Sequence, residues 1–198
     1  MTSASENNRK GILFIVSAPS GAGKTTMCQA VLKHFGDIRY SVSYTTRAAR
    51  GSEIHGKEYY FISKEEFVKG IASGRWAEWA EVHGNYYGTS AELLDQTLAA
   101  GTDMLLDIDV QGTENIRKRY PDAVTVFIMP PCFEELRVRM ESRGTDSPEV
   151  IARRVENAKG EIARKDSYQH VIVNDNLEQA IDRLIAVMEA SRNGKGLK

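Results

Sequence analysis

Nine consecutive residues, Ala18, Pro19, Ser20, Gly21, Ala22, Gly23, Lys24, Thr25 and Thr26, set a glycine-rich turn, a lysine and two hydroxyls directly after an apolar run. They match G-x-x-x-x-G-K-[ST], except that Ala18 holds the first glycine position. Such spacing serves phosphate binding. Backbone amides around Gly21 to Thr25 form an anion nest, and Lys24 reaches the β and γ phosphates of a nucleotide. Thr25 offers its hydroxyl to Mg²⁺, and a helix opening near Thr25 points its positive end at the anion. The departure at Ala18 leaves this physics intact, because amides, ammonium and helix terminus all lie beyond it.

Two further clusters carry chemistry. Met104, Leu105 and Leu106 run into Asp107 and Asp109, which places carboxylates at the C-terminal end of a buried strand, where open α/β sheets bind ligands. Asp107 is the expected Mg²⁺ partner, and a plain strand-end turn is the alternative. Ser43, Thr45, Thr46, Arg47 and Arg50 bring two guanidinium forks and several hydroxyls within a few residues, which suits a second phosphate. Tyr59 and Tyr87 can add phenolic donors. By composition alone, Arg47 and Arg50 also fit two solvated charges on a loop.

Positioning these groups requires elements that the hydrophobic pattern supplies. Apolar runs at Ile12 to Ser17, Met104 to Ile108, Val124 to Met129 and Val171 to Val173 alternate with helical patterns, as in a parallel sheet covered by helices. Between the first two runs, Tyr40 to Tyr44, Tyr59 to Ile62 and Asn85 to Thr89 are short, aromatic and hydroxyl-rich. They predict a small separate sheet inside an insertion spanning roughly Asp37 to Ser90. A helix is expected over Phe133 to Arg143, stopped by Gly144. Ser147 as N-cap and Pro148 at the first helical position open another, reaching Ala163 through a charge-rich stretch. A last helix is expected over Leu177 to Glu189, and the polar N-terminal stretch and Gly194 to Lys198 read as loose ends.

Composition narrows the function classes. A chain of 198 residues suits one compact domain, and 26 basic against 27 acidic residues leave a net charge of −1. That balance provides neither a basic field for nucleic acid nor a basic tail for a membrane surface. The two cysteines, Cys28 and Cys132, form no metal or redox motif, which fits a reducing cytosol. The histidines at 34, 55, 83 and 170 show no metal-ligand spacing. The run from Ile12 to Val16 is too short for a membrane span. A soluble, cytoplasmic protein that binds a small polyanion is the expectation.

Four ordered motifs give the reading a family. Ser-Val-Ser-Tyr-Thr-Thr-Arg-Ala-Ala-Arg at 41–50, Gly-Lys-Glu-Tyr at 56–59, Gly-Asn-Tyr-Tyr-Gly at 84–88 and Asp-Ile-Asp-Val-Gln-Gly at 107–112 resemble guanylate kinase. The resemblance spans about Ile12 to Asp175. It implies a P-loop α/β fold of three layers: a parallel-sheet core at 11–36, 91–132 and 165–190, a mixed-sheet GMP-binding insertion at 37–90, and a helical lid at 133–164. The implied reaction is ATP plus GMP giving ADP plus GDP, with Mg²⁺ accompanying ATP.

By that resemblance Ser43, Arg47, Arg50, Tyr59 and Tyr87 hold GMP, with the arginines and tyrosines on its phosphate and Ser43 on the base. Glu78 and Thr89 complete the pocket, and Asp109 adds a contact to the exocyclic amine. The chemistry of guanine agrees, since a carboxylate can accept from both N1–H and N2–H₂, whereas adenine presents an unprotonated N1 and lacks the amine. From spacing alone Glu78 and Glu81 both read as helix-surface charges, and Trp76 and Trp79 read as packing residues. Arg139, Arg143 and Arg154 would sit on a lid that closes over the triphosphate. Asn174 would touch the adenine of ATP, while Asp175 and Glu178 would help cap the last helix. Two rivals compete with this reading. A GTPase could use Asp109 to Gly112 as D-x-x-G, but the chain has no N-K-x-D. A noncatalytic module binding a phosphorylated partner would have no need of Lys24 and Thr25.

Overall fold

A computed structural model of the chain describes residues 9–82, 84–142, 144 and 146–194. Arg143 and His83, residues 1–8 of the polar N-terminal stretch and residues 195–198 of the expected tail lie outside the described residues. The chain opens with β1 (Leu13–Ser17), α1 (Lys24–Phe35), β2 (Arg39–Tyr40), β3 (Tyr44–Thr45) and β4 (Tyr60–Phe61). It continues through α2 (Lys64–Ala72), β5 (Trp76–Val82), β6 (Asn85–Ser90), α3 (Ala91–Ala99) and β7 (Met104–Asp107). Then follow α4 (Val110–Arg119), β8 (Val124–Met129), α5 (Phe133–Ser142), α6 (Pro148–Ile162), β9 (His170–Val173) and α7 (Leu177–Arg192).

Five strands form an all-parallel sheet in the order β2-β7-β1-β8-β9. β1 lies at its centre and is buried along its whole length, which explains an apolar run with no alternation. Residues pointing to one face, among them Phe14, Val16, Leu105 and Ile128, pack against Met27 and Val31 of α1 and Leu184 and Met188 of α7. On the opposite face Leu13, Ile15, Met104 and Leu106 meet Leu94 and Leu98 of α3 and Ile116 of α4. Two apolar layers therefore clamp the sheet, with each fully buried aliphatic or aromatic side chain contributing about 1.5–3 kcal/mol. Ile12 falls just outside β1 because its amide donates to the buried carboxylate of Asp103 at 2.8 Å. Arg9 and Arg192 also bind Asp103, at 2.8 and 2.7 Å, tying the start of the chain to the end of α7.

A second, mixed sheet has the order β4-β3-β6-β5. It corrects two expectations. The segment from Tyr40 to Tyr44 is divided between sheets: Arg39 and Tyr40 pair with Met104 and Leu105 of β7, and only Tyr44 and Thr45 join the small sheet. The amide of Ser41 donates to the carbonyl of Leu105 at 3.0 Å, and the chain then leaves the core. The second correction concerns Trp76 to Val82, which is a strand and not a helix surface. Its Trp-Ala-Glu-Trp-Ala-Glu spacing of three imitates a helical face, and an irregular register between Trp76 and Glu78 hides the alternation of a strand. Trp76 is buried and stacks on Phe67 of α2 with ring centroids 4.4 Å apart, and Phe67 stacks in turn on Tyr86 at 5.3 Å.

The helices follow their local signals closely. α5 stops at Ser142, ahead of Gly144, and Ser147 caps α6 by accepting from the amide of Val150 at 3.4 Å. Leu136 and Met140 of α5 and Ile151, Val155 and Ala158 of α6 share their own apolar cluster, so the helix pair carries a core separate from the sheet's. At the last helix Asn176 is the cap, accepting from the amide of Gln179 at 3.1 Å, where Asp175 and Glu178 were expected to serve.

Candidate active site

The loop after β1 is shaped by its glycines and held from below. Gly23 is the N-cap of α1 with φ 96° and Gly21 has φ 91°, a region that L side chains rarely enter. A methyl group on Gly23 would lie 2.5 Å from Nδ2 of Asn174, and that amide donates to the carbonyl of Ala22 at 2.8 Å. Asn174 is 3% exposed. Its side chain therefore props the phosphate loop, and Asn174 also lines an opening shared with Gly21, Gly23, Thr26 and Leu177. The methyl of Ala18 sits among the apolar residues of the main core, which accounts for a first motif position that is not glycine.

Above the loop is a cavity of about 380 Å³, lined by residues from Ala18 to Thr26 together with Arg154 and Glu161 of α6. Lys24 Nζ pairs with Asp107 at the end of β7 and donates to the carbonyl of Ile108 at 3.4 Å. Thr25 and Thr26 are exposed on the first turn of α1. Arg154 bridges Ser20 of the loop and Asp146, so the α5–α6 pair touches the phosphate loop through this guanidinium. Arg139 donates to Glu135 at 3.0 Å and to the carbonyl of Asn174 at 3.1 Å, beside a further opening at Gly21, Gly23, Thr26 and Leu177.

A second cavity of about 580 Å³ also reaches Lys24 and Thr25, and extends to Ser43, Glu53, Tyr59 and Asp107. It adjoins a third space of about 280 Å³ at Ser43, Tyr59 and Asp107, whose inner wall carries Glu78, Tyr87 and Asp109. Ser43 and Tyr59, which immediately precede β3 and β4, thus converge with Glu78 of β5, Tyr87 of β6 and Asp109 at the N-cap of α4. Thr89 stands behind them, donating from its hydroxyl to Glu78 at 2.7 Å. Glu78 is 9% exposed, and burial, assisted by the negative charge of Asp109, raises its carboxyl from 4.5 to about 7 against the opposing Thr89 bond. Asp109 caps α4, accepting from the amide of Gly112 at 2.7 Å.

At the other end of this cleft, Arg47 is held by Glu53 through two bonds of 2.9 Å and lies 5.4 Å over the ring of Tyr59. Tyr59 meets Tyr87 edge to face at 5.9 Å, and burial pushes the Tyr59 phenol above its ordinary value, keeping it a donor. Arg50 is exposed beside the same turn, its amide donating to Glu53 at 2.7 Å. The motif reading passes over three carboxylates found here, Glu53, Asp146 and Glu161. Glu53 lies within six residues of both arginines in a glycine-flanked turn, a local charge signal that sequence alone offers. Asp146 and Glu161 acquire their place only when α6 folds back on the loop.

The donor set suits Mg²⁺. The ion takes hard oxygens, keeps several waters and is held by one or two protein groups plus substrate phosphates. The exposed hydroxyl of Thr25 and the carboxylate of Asp107 lie on the same cavity wall. Among the described residues no group of three or more His, Cys, Asp or Glu is placed to hold a metal ion.

The family model for guanylate kinase matches residues 10–191. The chain is 50% identical to a guanylate kinase of Geobacter metallireducens over 184 residues, covering 93% of this chain and 91% of that one. It is 49% identical over 196 residues to a guanylate kinase of Symbiobacterium thermophilum, covering 96% and 93%. A crystal structure of guanylate kinase from Anaplasma phagocytophilum is similar with a TM-score of 0.72 and 35% identity, covering 92% of this chain and 86% of that one. With a phosphate loop, a buried acidic pocket and matches of this extent, the chain belongs to the guanylate kinase family.

Proposed function

We propose that the protein transfers the γ-phosphate of ATP to GMP, giving ADP and GDP. The observation that carries this reading is that the cavity over the phosphate loop and the cavity leading to Glu78 both reach Lys24 and Thr25. A triphosphate in the first and a monophosphate in the second would meet there. The acceptor phosphate already carries negative charge, so no protein nucleophile is needed and catalysis reduces to positioning and charge neutralisation.

In this reading the loop amides and Lys24 hold the ATP phosphates, and Thr25 and Asp107 are the groups that would hold Mg²⁺, whose charge would offset that developing on the phosphates. Arg47, Arg50, Tyr59 and Tyr87 bind the acceptor phosphate, while Ser43, Glu78 and Asp109 read guanine with Thr89 orienting Glu78. Arg139 and Arg154, with Arg143, supply positive charge from the lid at 133–164. Asn174 supports the loop and lines the opening beside Gly21, Thr26 and Leu177 that is assigned to the adenine. The insertion at 37–90 is assigned to GMP, and closure of the insertion and the lid over the substrates would exclude water. The cytoplasm is the proposed setting, where both nucleotides are available; among the described residues no helix is long and apolar enough to cross a membrane.

The test is ADP release from Mg²⁺-ATP with GMP, AMP, CMP, UMP or no acceptor. Turnover confined to GMP is the expected result. Hydrolysis indifferent to the acceptor, or none at all, would overturn the assignment.

A further inference from the structure

The bonds around Arg47 account for some of its donors and leave others. A guanidinium has five N–H groups on two usable edges: an end-on edge formed by both Nη atoms, and a side-on edge formed by Nε and one Nη. In Arg47, Nη1 donates to Glu53 Oε2 at 2.9 Å and to the carbonyl of Ala48 at 2.7 Å, which uses both of its hydrogens. Nη2 donates once, to Glu53 Oε1 at 2.9 Å. Glu53 therefore takes the whole end-on edge, and among the described residues no carboxylate takes the side-on edge of Nε and Nη2; the Tyr87 phenol, itself a candidate phosphate donor, is a further hydrogen-bond neighbour of this guanidinium. The aromatic rings of Tyr59 and Phe61, 5.4 and 5.8 Å from the guanidinium carbon, restrict its plane further.

The same carboxylate fixes the neighbouring arginine's backbone. Glu53 Oε2 accepts from the amide of Arg50 at 2.7 Å, so one side chain sets the position of both members of the Arg47–Arg50 pair. Its own side chain is only 23% exposed, and that of Arg47 only 10%. A solvated loop charge has no cause to be held by three bonds.

We infer that Glu53 is a positioning residue for the acceptor phosphate, which fixes Arg47 by its end-on edge so that the side-on edge is presented to the monophosphate. The inference rests on the proposed reaction and adds to it a residue that acts through Arg47. A bidentate grip on phosphate requires the guanidinium plane to be set before binding, since ordering it during binding reduces affinity.

Three measurements test it. In Glu53→Gln, loss of the charge-assisted pair is expected to raise the KM for GMP by about tenfold. The KM for ATP should be unchanged, kcat should fall by less than the KM rises, and calorimetry should show GMP binding weakened by the same factor. Glu53→Asp, which keeps the charge at shorter reach, should fall between the two. The NMR signal of the Arg47 Nε–H group, identified by its loss in Arg47→Lys, should report hindered rotation in the wild type and averaging in Glu53→Gln. Unchanged or tighter GMP binding in Glu53→Gln would overturn the inference, the second case making Glu53 a resident competitor of phosphate. A parallel rise in both KM values with a lower melting temperature would also overturn it, as a purely structural role. If the wild-type protein fails to use GMP, the reaction assignment fails, and the Arg47 signal still decides whether Glu53 sets the guanidinium.

Discussion

The ionisation of Glu78 should govern GMP recognition across the neutral pH range. Its carboxyl is raised from 4.5 to about 7, first by burial and then by Asp109. Only the ionised form accepts from both guanine N1–H and N2–H₂. With a midpoint at about 7, roughly one-tenth of the sites are ionised at about pH 6 and roughly nine-tenths at about pH 8. The KM for GMP should therefore fall about tenfold between those two conditions, while the KM for ATP should not follow it. GMP's own phosphate, with a second pKa near 6, adds only about a twofold change over the same interval. The Glu78→Gln variant isolates the two effects. Its KM for GMP should be raised and should retain only the shallow phosphate dependence, and its amide, which can donate to adenine N1, should admit measurable AMP turnover.

Proton release provides a second assay. Near pH 6, binding of GMP should release close to one proton per site from Glu78, read as a dependence of the calorimetric heat on the ionisation enthalpy of the buffer. Stability should move in the opposite sense to recognition. The folded protein binds the Glu78 proton more tightly than the unfolded chain, so this residue's contribution falls as pH rises from about 4.5 to about 7, by up to about 3 kcal/mol. Glu78→Gln should accordingly melt at a higher temperature than wild type at about pH 8 and lose that advantage towards pH 5. A KM for GMP that varies less than about twofold over the whole interval, or an identical profile in Glu78→Gln, would refute the argument.

Thr89→Val removes the 2.7 Å bond that stabilises the ionised carboxylate, so the midpoint of the GMP profile should move up by about one pH unit. Asn174→Ala leaves the carbonyl of Ala22 without its 2.8 Å donor beneath the phosphate loop. It should destabilise the protein by about 1–3 kcal/mol in denaturant titration and raise the KM for ATP several-fold, with the KM for GMP unchanged. Arg154→Ala removes a guanidinium that reaches the loop through Ser20, and should lower kcat by about a thousandfold with little change in the KM for GMP. Its melting temperature should barely change, because the Arg154–Asp146 pair is partly solvated.

What the sequence makes legible divides along physical lines. The phosphate loop can be read because each of its parts, strand end, glycine turn, lysine and helix start, acts through its immediate neighbours. The core strands can be read because a sheet covered on both faces demands unbroken apolar runs, which β1, β7 and β8 supply. Glu78 is different. Its spacing imitates a helix, and only its resemblance to a family position picks it out, because burial depends on β6 behind it and α4 beside it. Asn174 was legible as a site residue, but its support of the phosphate loop was not, since that partner is the carbonyl of Ala22, 152 positions away.

The least legible feature concerns pairing. Lys24, Arg47, Arg139 and Arg154, four of the five described cations assigned to the phosphates, lie against Asp107, Glu53, Glu135 and Asp146 respectively. Only the Arg139–Glu135 pair follows from helical spacing; the others depend on which turns and strand ends the fold brings together. The arrangement lets a chain of net charge −1 concentrate positive groups around two phosphate sites without leaving them to repel one another. It also sets a condition on binding. Where the carboxylate occupies the edge that phosphate needs, the substrate must displace it, and where it occupies the opposite edge, as Glu53 does on Arg47, it orients the cation for the substrate. Neutralising each carboxylate in turn distinguishes the cases by the sign of the change in affinity: tighter binding marks a competitor, and weaker binding marks a support.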